Sequence, residues 1–166
     1  DYWRHRFEHR FQIWWALHAV HHSQRQMTFW TDEREHLLAQ LIAAAFRAAV
    51  GLAVGAPPAT FLTITLVTAA IESFSHANVK LSFGRIGDRL LVSPLYHRVH
   101  HAIGIGHTGT VMGCNFASVF PIWDILFGTA NFTHEWLPTG IDDQLTGRDY
   151  GEGFWRQQVL AFRRMF

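Results

Sequence analysis

Two apolar stretches in the middle of the chain stand out from the polar and aromatic sequence around them. Residues 37–54 and 59–75 are largely apolar, and Pro57 and Pro58 lie between them. Because proline removes a backbone donor and breaks a helix, this pattern predicts two antiparallel helices joined by a tight turn. Each stretch corresponds to roughly 27 Å of helix, close to the ~30 Å hydrocarbon core of a bilayer. We therefore expect a membrane-spanning hairpin over residues 37–75.

Polar residues within the two stretches leave a second interpretation open. Gln40 and Arg47 interrupt the first stretch, and Glu72 interrupts the second. Charged groups are costly inside a bilayer, so a hairpin buried in a soluble helical bundle would fit the same pattern. Residues 1–36 are rich in Arg, His and Trp, a mixture that suits the surface of a membrane.

The length and charge of the chain narrow the class of protein. Its 166 residues suit a single domain over residues 1–166. The 14 Lys and Arg balance 13 Asp and Glu, which argues against a nucleic-acid partner. The chain opens without an initiating Met or a secretion signal, so we expect it to be a C-terminal piece of a longer protein. Its unusual feature is the 12 His.

Three short histidine clusters flank the predicted hairpin. HRFEH contains His5 and His9, and the pattern HxxHH occurs twice, as HAVHH and HRVHH. On a helix, positions i, i+3 and i+4 lie within about one hundred degrees of arc, so each cluster presents its imidazoles to one side. His9 and His18 are about half a turn out of phase on a continuous helix, which predicts a bend near Trp14 and Trp15. The two HxxHH clusters contain His18, His21, His22, His97, His100 and His101.

Together with the isolated His76, these clusters supply nine imidazoles. Nine nitrogen donors are too many for one first-row ion and suit two ions with open positions, so we predict a di-metal centre. Imidazole suits iron, zinc, copper and nickel alike, which leaves the metal open. The single Cys114 provides neither a thiolate site nor an internal disulfide. Asp1 and Asp124 are candidates for orienting ligand imidazoles, although a helix cap or a hydrogen bond to a Trp would also explain Asp124.

Longer segments around the clusters resemble a known family. HAVHHS, SHANVK, SPLYHRVHHA and NFASVFPIWDILFGT are similar to the consensus of the fatty acid hydroxylase and sterol desaturase superfamily. The similarity runs from Asp1 to Asn131 and leaves residues 132–166 uncovered. It implies an all-α, membrane-embedded helical bundle with a histidine-rich cap on the cytosolic side that holds two iron ions, which zinc can replace in purified protein. The implied ligands are His5, His9, His18, His21, His22, His76, His97, His100 and His101.

The chain departs from the family pattern at one position. Some members carry a further histidine four residues after the position of His76, where this chain has Lys80. Asn78, His107 or a water would have to take the place of that ligand. His36 lies where relatives often have an R-x-H element, and we expect it to orient a ligand or to stabilise the fold.

The resemblance implies an integral membrane oxidoreductase. Such an enzyme hydroxylates or desaturates an unactivated C–H bond of a fatty acyl chain or sterol, using O2 and electrons from a reductase, a ferredoxin or a cytochrome b5-like protein. The alternative is a membrane metal-binding or transport protein without redox catalysis. The apolar stretches contain no His, which favours a fixed site over a conduction path. No HExxH motif is present to support a zinc hydrolase. The sequence does not determine the substrate or the carbon attacked.

Overall fold

The regular elements of the chain are helical throughout the part that the structure describes. A computed structural model describes residues 1–105 and 113–166, and within them only an isolated bridge joins Ala102 to Thr139. This confirms the all-α prediction. The helices are α1 (Tyr2–Arg10), α2 (Gln12–His22), α3 (Leu37–Ala53), α4 (Pro58–Ser75), α5 (Gly84–Leu90), α6 (Pro94–His100), α7 (Ile122–Leu126) and α8 (Phe154–Arg163), with 3-10 turns at Phe29–Thr31 and Asp142–Thr146.

The two apolar stretches form the helices α3 and α4, within one residue of the predicted bounds at each end. His36 caps the start of α3, because its Nδ1 accepts a hydrogen bond from the backbone N–H of Leu38. Gly55 has a φ of +67° in the turn, and Pro58 begins α4 at a position where a missing N–H costs nothing. The sequence therefore contains both the start signal and the stop signal of this hairpin.

The hairpin presents its apolar side chains outward. Leu41, Leu62 and Leu66 are each more than half exposed, and only Ser73 and Ser75 are buried in α4. Helix α4 is long and apolar enough to cross a membrane, whereas α3 is one residue shorter than that helix and is apolar throughout most of its length. The described residues therefore do not bury the hairpin as the core of a soluble bundle.

The first two histidine clusters lie on two separate helices, as predicted. The break falls at Phe11, which has extended backbone angles (φ −109°, ψ 125°), and not at Trp14 and Trp15, which lie inside α2. A single extended residue redirects the chain enough for α1 and α2 to pack against each other. The bend was therefore correctly expected, but it comes three residues earlier than the tryptophans.

The C-terminal segment holds the outer side of α2 in place. Helix α8 packs against α2, and a small apolar cluster unites Ala19 and Val20 of α2 with Tyr150 and Ala161. The hydroxyl of the buried Tyr150 donates to the backbone carbonyl of Ala16, 3.1 Å away. The segment beyond residue 131 is thus part of the scaffold for the HAVHH cluster.

Candidate metal centre

The nine clustered histidines come together as two adjacent groups at one end of the hairpin. Within each group, one nitrogen of every ring lies within 4.8 Å of the others, so each group can hold a metal ion. The rings of His22 and His101, one from each group, stack with centroids 4.2 Å apart. The first group contains His5, His9, His18, His22 and His100, and the second contains His21, His76, His97 and His101.

Each HxxHH cluster divides its histidines between the two groups. In HAVHH, His18 and His22 join the first group and His21 joins the second. In HRVHH the division is reversed, because His100 joins the first group and His97 and His101 join the second. Relative to position i, a helix places i+4 at about +40° and i+3 at about −60°, so these two side chains point to different sides. The prediction that each cluster presents its imidazoles to one side is therefore wrong for the two HxxHH clusters, because each divides its imidazoles between two groups.

Hydrogen bonds fix which nitrogen of several rings faces the centre. A backbone carbonyl can only accept, so a ring nitrogen bonded to one must carry the proton. His5 Nδ1 lies 2.8 Å from the Phe116 carbonyl, and His100 Nδ1 lies 2.7 Å from the Cys114 carbonyl. In the second group, the same kind of bond links His21 to Thr31 at 3.1 Å and His76 to Glu72 at 2.7 Å. These four rings therefore direct an unprotonated Nε2 inward.

The inward nitrogens lie at distances that suit a bound cation. The Nε2 atoms of His21 and His76 are 3.1 Å apart, and those of His76 and His97 are 2.9 Å apart. An ion held at ~2.1 Å by imidazoles sets neighbouring donors ~3.0 Å apart in an octahedral arrangement and ~3.4 Å apart in a tetrahedral one. Two lone pairs facing each other at such distances repel unless a cation lies between them. The donor set therefore fits a metal.

Burial keeps these imidazoles in the form that binds metals. It lowers the pKa of His76 to about 4. Burial, together with charge repulsion from neighbouring histidines, lowers the pKa values of His21, His97 and His101 well below the usual range. Neutral imidazole is the ligand form, so at pH 7 protons do not compete with a metal for these rings.

Two carboxylates that the sequence analysis did not select lie beside the first group. Glu35 Oε1 is 3.3 Å from His18 Nδ1, and the buried Glu8, held by Arg4, approaches the same nitrogen at 3.8 Å. Burial, reinforced by the charge of Glu8, raises the pKa of Glu35 to about 7. A cation bound through His18 would favour the ionised carboxylate. In the sequence, Glu8 directly precedes His9 and Glu35 directly precedes His36, and this proximity is the signal that could have identified them.

The residues proposed from sequence to orient the ligands have other contacts. Asp1 is paired with Arg4 at 3.5 Å, and Asn78 accepts a hydrogen bond from Arg98 at 3.1 Å. His36 caps α3 and donates from Nε2 to the carbonyl of Gln158. His107 lies outside the described residues.

Asp124 acts one step away from a ligand. Its fully buried carboxylate accepts the backbone N–H groups of Phe116 and Ala117 at 2.8 and 3.0 Å, and the hydroxyl of Tyr96 at 3.0 Å. Phe116 is the residue whose carbonyl orients His5. Asp124 therefore fixes the loop that carries this carbonyl, and within residues 1–105 and 113–166 it makes no direct hydrogen bond to an imidazole, unlike the role proposed from sequence.

Replacement of Glu35 by alanine should weaken metal binding without disrupting the fold. The change removes the acceptor of His18 Nδ1, and loss of such a partner typically costs about tenfold to a hundredfold in metal affinity. Competition with a chelator of known affinity measures the change, and Glu33→Ala is the matched control, since Glu33 also faces the cavity but bonds no imidazole. Equal affinities for the two variants would show that the Glu35 contact has no effect on the centre.

A cavity of about 560 Å³ connects the histidines to the interior of the hairpin. His18, His21 and His76 line one end. From there it continues between α3 and α4, past small residues such as Ala43 and Ala69, to Val54 and Phe61 near the turn. Arg47 and Glu72 also line the cavity, so it is polar at the histidines and along part of the hairpin and becomes apolar at the tip.

Comparison with known proteins agrees with this arrangement. The chain is 32% identical to an ornithine lipid hydroxylase from Rhizobium tropici over 98% of its own length and 47% of that protein. It is 31% identical to an alkylglycerol monooxygenase from Danio rerio, over 77% of the chain and 27% of the relative. The human alkylglycerol monooxygenase is 29% identical, over 84% and 30%. The chain thus spans about half or less of the length of these relatives.

The first of these alignments changes one expectation from the sequence. It covers nearly the whole chain, so residues 132–166 also have a counterpart in a relative. No solved structure matches the chain significantly. The sequence profile described as fatty acid hydroxylase matches residues 1–129, close to the segment over which a resemblance was predicted. The chain therefore belongs to the fatty acid hydroxylase family.

Proposed function

We propose that this chain is the catalytic part of an O2-dependent di-iron enzyme that hydroxylates an unactivated C–H bond in a lipid. The observation that carries the proposal is the junction of two histidine groups with a cavity inside the hairpin whose far end is apolar. The relatives described above are, by their names, a lipid hydroxylase and alkylglycerol monooxygenases. Desaturation of the same lipid is the related outcome, because it begins with removal of hydrogen from the same kind of bond.

The proposed ligands are the nine clustered histidines, five for one iron ion and four for the other. Two iron ions held there would supply O2 activation with electrons from an external reductase, ferredoxin or cytochrome b5-like donor. Overall, hydroxylation converts R–H, O2, two electrons and two protons into R–OH and water. Nitrogen donors also accept zinc, so zinc can occupy the groups in purified protein.

The protein residues position the lipid and exclude water. Alkyl chains gain free energy by leaving water, so the apolar end of the cavity, near Val54 and Phe61, would take the lipid tail. The polar end contains Asp32, Glu35 and Arg4 beside the histidines, which suits a polar headgroup. In this orientation, the carbon beside His18 and His21 would be one close to the headgroup and not one at the end of the tail.

We further propose that the hairpin spans a bilayer with the histidine groups at the cytosolic surface. Helix α4 has the necessary length and apolarity, and the outward leucines of α3 and α4 lack partners among the described residues that would bury them. The cytosolic side is the one that family membership favours, since soluble electron donors reach the centre from there.

A metal carrier without redox chemistry is the alternative that uses the same histidines. A carrier would require ligands along its path, whereas both groups lie at one end of the hairpin and α3 and α4 contain no His. The apolar end of the cavity would also have no role in such a protein. The arrangement therefore supports a fixed catalytic centre.

Metal content and lipid composition test the proposed function together. The full-length protein, purified in detergent, should hold about two metal ions per chain, because two groups of imidazoles converge. Elemental analysis measures the ions, and mass spectrometry of lipid extracts from cells with and without the protein identifies a product 16 mass units heavier than its precursor. Well-folded protein with one ion or none would contradict the di-metal centre, and two ions without any changed lipid would support the carrier.

A further inference from the structure

Helix α8 turns three large apolar side chains away from the rest of the protein. Trp155 is 76% exposed, and Val159 and Phe162 are each 50% exposed. The spacing i, i+4, i+7 places these three side chains on one side of the helix. On the inner side of α8, Ala161 is buried and Leu160 is partly buried against the cluster that includes Ala19 and Val20 of α2. An ordinary surface helix is apolar on its inner side alone, whereas α8 is apolar on its outer side as well.

Two arginines border this outward stripe, which consists of Trp155, Val159 and Phe162. Arg156 and Arg163 are both exposed and project within about one hundred degrees of the stripe. An apolar stripe with a tryptophan and neighbouring arginines is typical of helices that lie in the interface of a bilayer. There the aromatic rings reach the acyl chains, and the guanidinium groups reach lipid phosphates.

Contacts of Gln158 place the stripe beside the start of the hairpin. Its side-chain oxygen accepts the backbone N–H of Leu37, the first residue of α3, at 2.8 Å. Its backbone carbonyl accepts from His36 Nε2 at 3.2 Å. On α8, Gln158 is four residues from both Phe154 and Phe162, so the side that touches α3 adjoins the stripe. The outward stripe thus lies where the apolar sequence of α3 begins.

We infer that α8 lies in the surface of a bilayer that contains anionic phospholipid, with the outward stripe among the upper acyl chains. This inference rests on the membrane-spanning hairpin of the proposed function. A second copy of the chain is a poorer occupant for the stripe. A ten-residue helix is ~15 Å long, and one side of it offers far less than the ~800 Å² that each partner buries in a stable dimer.

The placement has a consequence for the metal centre. Helix α8 is joined to α2 through Ala161 and Tyr150, and α2 carries three of the clustered histidines. A bilayer that holds α8 at its surface therefore also fixes the distance between the histidine groups and the lipid headgroups. This makes α8 a positioning element for a substrate whose reactive carbon is near the headgroup.

Local depth in the membrane tests the inference, because the hairpin alone would keep the protein bound to vesicles. Full-length Val159→Cys and Phe162→Cys proteins carry an environment-sensitive fluorophore and are reconstituted in phosphatidylcholine vesicles with about 30% phosphatidylglycerol. Lipids that carry a nitroxide just below the headgroup should quench the fluorophore at both positions about twofold or more beyond the quenching at Glu152→Cys. Glu152 precedes α8 and is exposed. The same labelling reaction on protein without an introduced cysteine gives the signal from the buried Cys114, which is then subtracted.

A label at Val67→Cys, midway along α4 on its exposed side, separates the two hypotheses when it is tested with lipids that carry the nitroxide deep in the acyl chain. Strong quenching at Val67 with none at α8 would overturn the α8 inference alone, whereas no quenching at either helix would overturn the spanning hairpin. Disulfide formation between Val159→Cys protomers would identify a second copy as the occupant and would also overturn the inference. Arg156→Gln with Arg163→Gln should reduce quenching at Val159 in the anionic vesicles, and unchanged quenching would contradict the phosphate contacts.

Discussion

Replacement of His100 or His101 by alanine is expected to lower lipid oxidation about tenfold or more and to remove metal. The two residues are neighbours in sequence, but His100 belongs to the first group and His101 to the second. Each change therefore leaves one group intact and takes one nitrogen donor from the other. Metal content should fall from about two ions toward one per chain in both variants, because each weakened group loses affinity independently.

His134→Ala provides the control for these two variants. His134 lies outside both groups, 43% exposed at its side chain, and contacts Asp88 at 3.0 Å. It should keep most of the activity and all of the metal. Elemental analysis and lipid mass spectrometry on the same preparations give both readouts. Near-normal oxidation with unchanged metal in His100→Ala and His101→Ala would make the third histidine cluster structural and would contradict the di-iron proposal.

The second large effect should come from filling the cavity without touching the histidines. Ala69 of α4 lines the cavity between the helices of the hairpin, and Ala69→Phe would place a ring where the lipid tail is proposed to lie. Turnover should fall about tenfold or more, which corresponds to about 1.4 kcal/mol of lost transition-state stabilisation. Metal content should stay normal, since no imidazole or orienting carbonyl changes.

Ala70→Phe is the matched control on the same helix. Ala70 directly follows Ala69 but is exposed and does not line the cavity, so the same added volume points outward. The comparison of the two variants separates blockage of the cavity from a general effect of a larger side chain. Equal turnover in both, at the level of the parent protein, would mean that the lipid reaches the metals by a different route.

The sequence was sufficient to predict the hairpin and the set of nine histidines because both depend on local signals. Proline in the turn and a largely apolar composition, interrupted only at a few polar positions, determine α3 and α4, and repeated spacing identifies the clusters. The division of each HxxHH between two groups also follows from helix geometry, yet it was missed. Positions i+3 and i+4 lie at opposite edges of the one hundred degrees of arc, so their side chains need not face the same centre.

The partners of the imidazoles were not predictable from sequence, because they come from distant segments. His5 bonds to the carbonyl of Phe116, which is 111 residues away. A carbonyl is present at every position, so no residue type marks it. Asp1 and Asp124 are candidates from sequence because a carboxylate is a recognisable residue type. Glu35 is separated from His18 by a turn and the 3-10 segment, so its contact with His18 is visible only in the folded structure.

Four of the clustered imidazole rings depend on backbone carbonyls for their orientation, and this has a consequence for how relatives of the chain can vary. The acceptors belong to Thr31, Glu72, Cys114 and Phe116, and none of these bonds uses a side chain of the accepting residue. Their identities can therefore drift between relatives while the rings stay aimed at the metals. The feature that must be kept is the path of the main chain that positions these carbonyls. A comparison of residue types alone will not detect it.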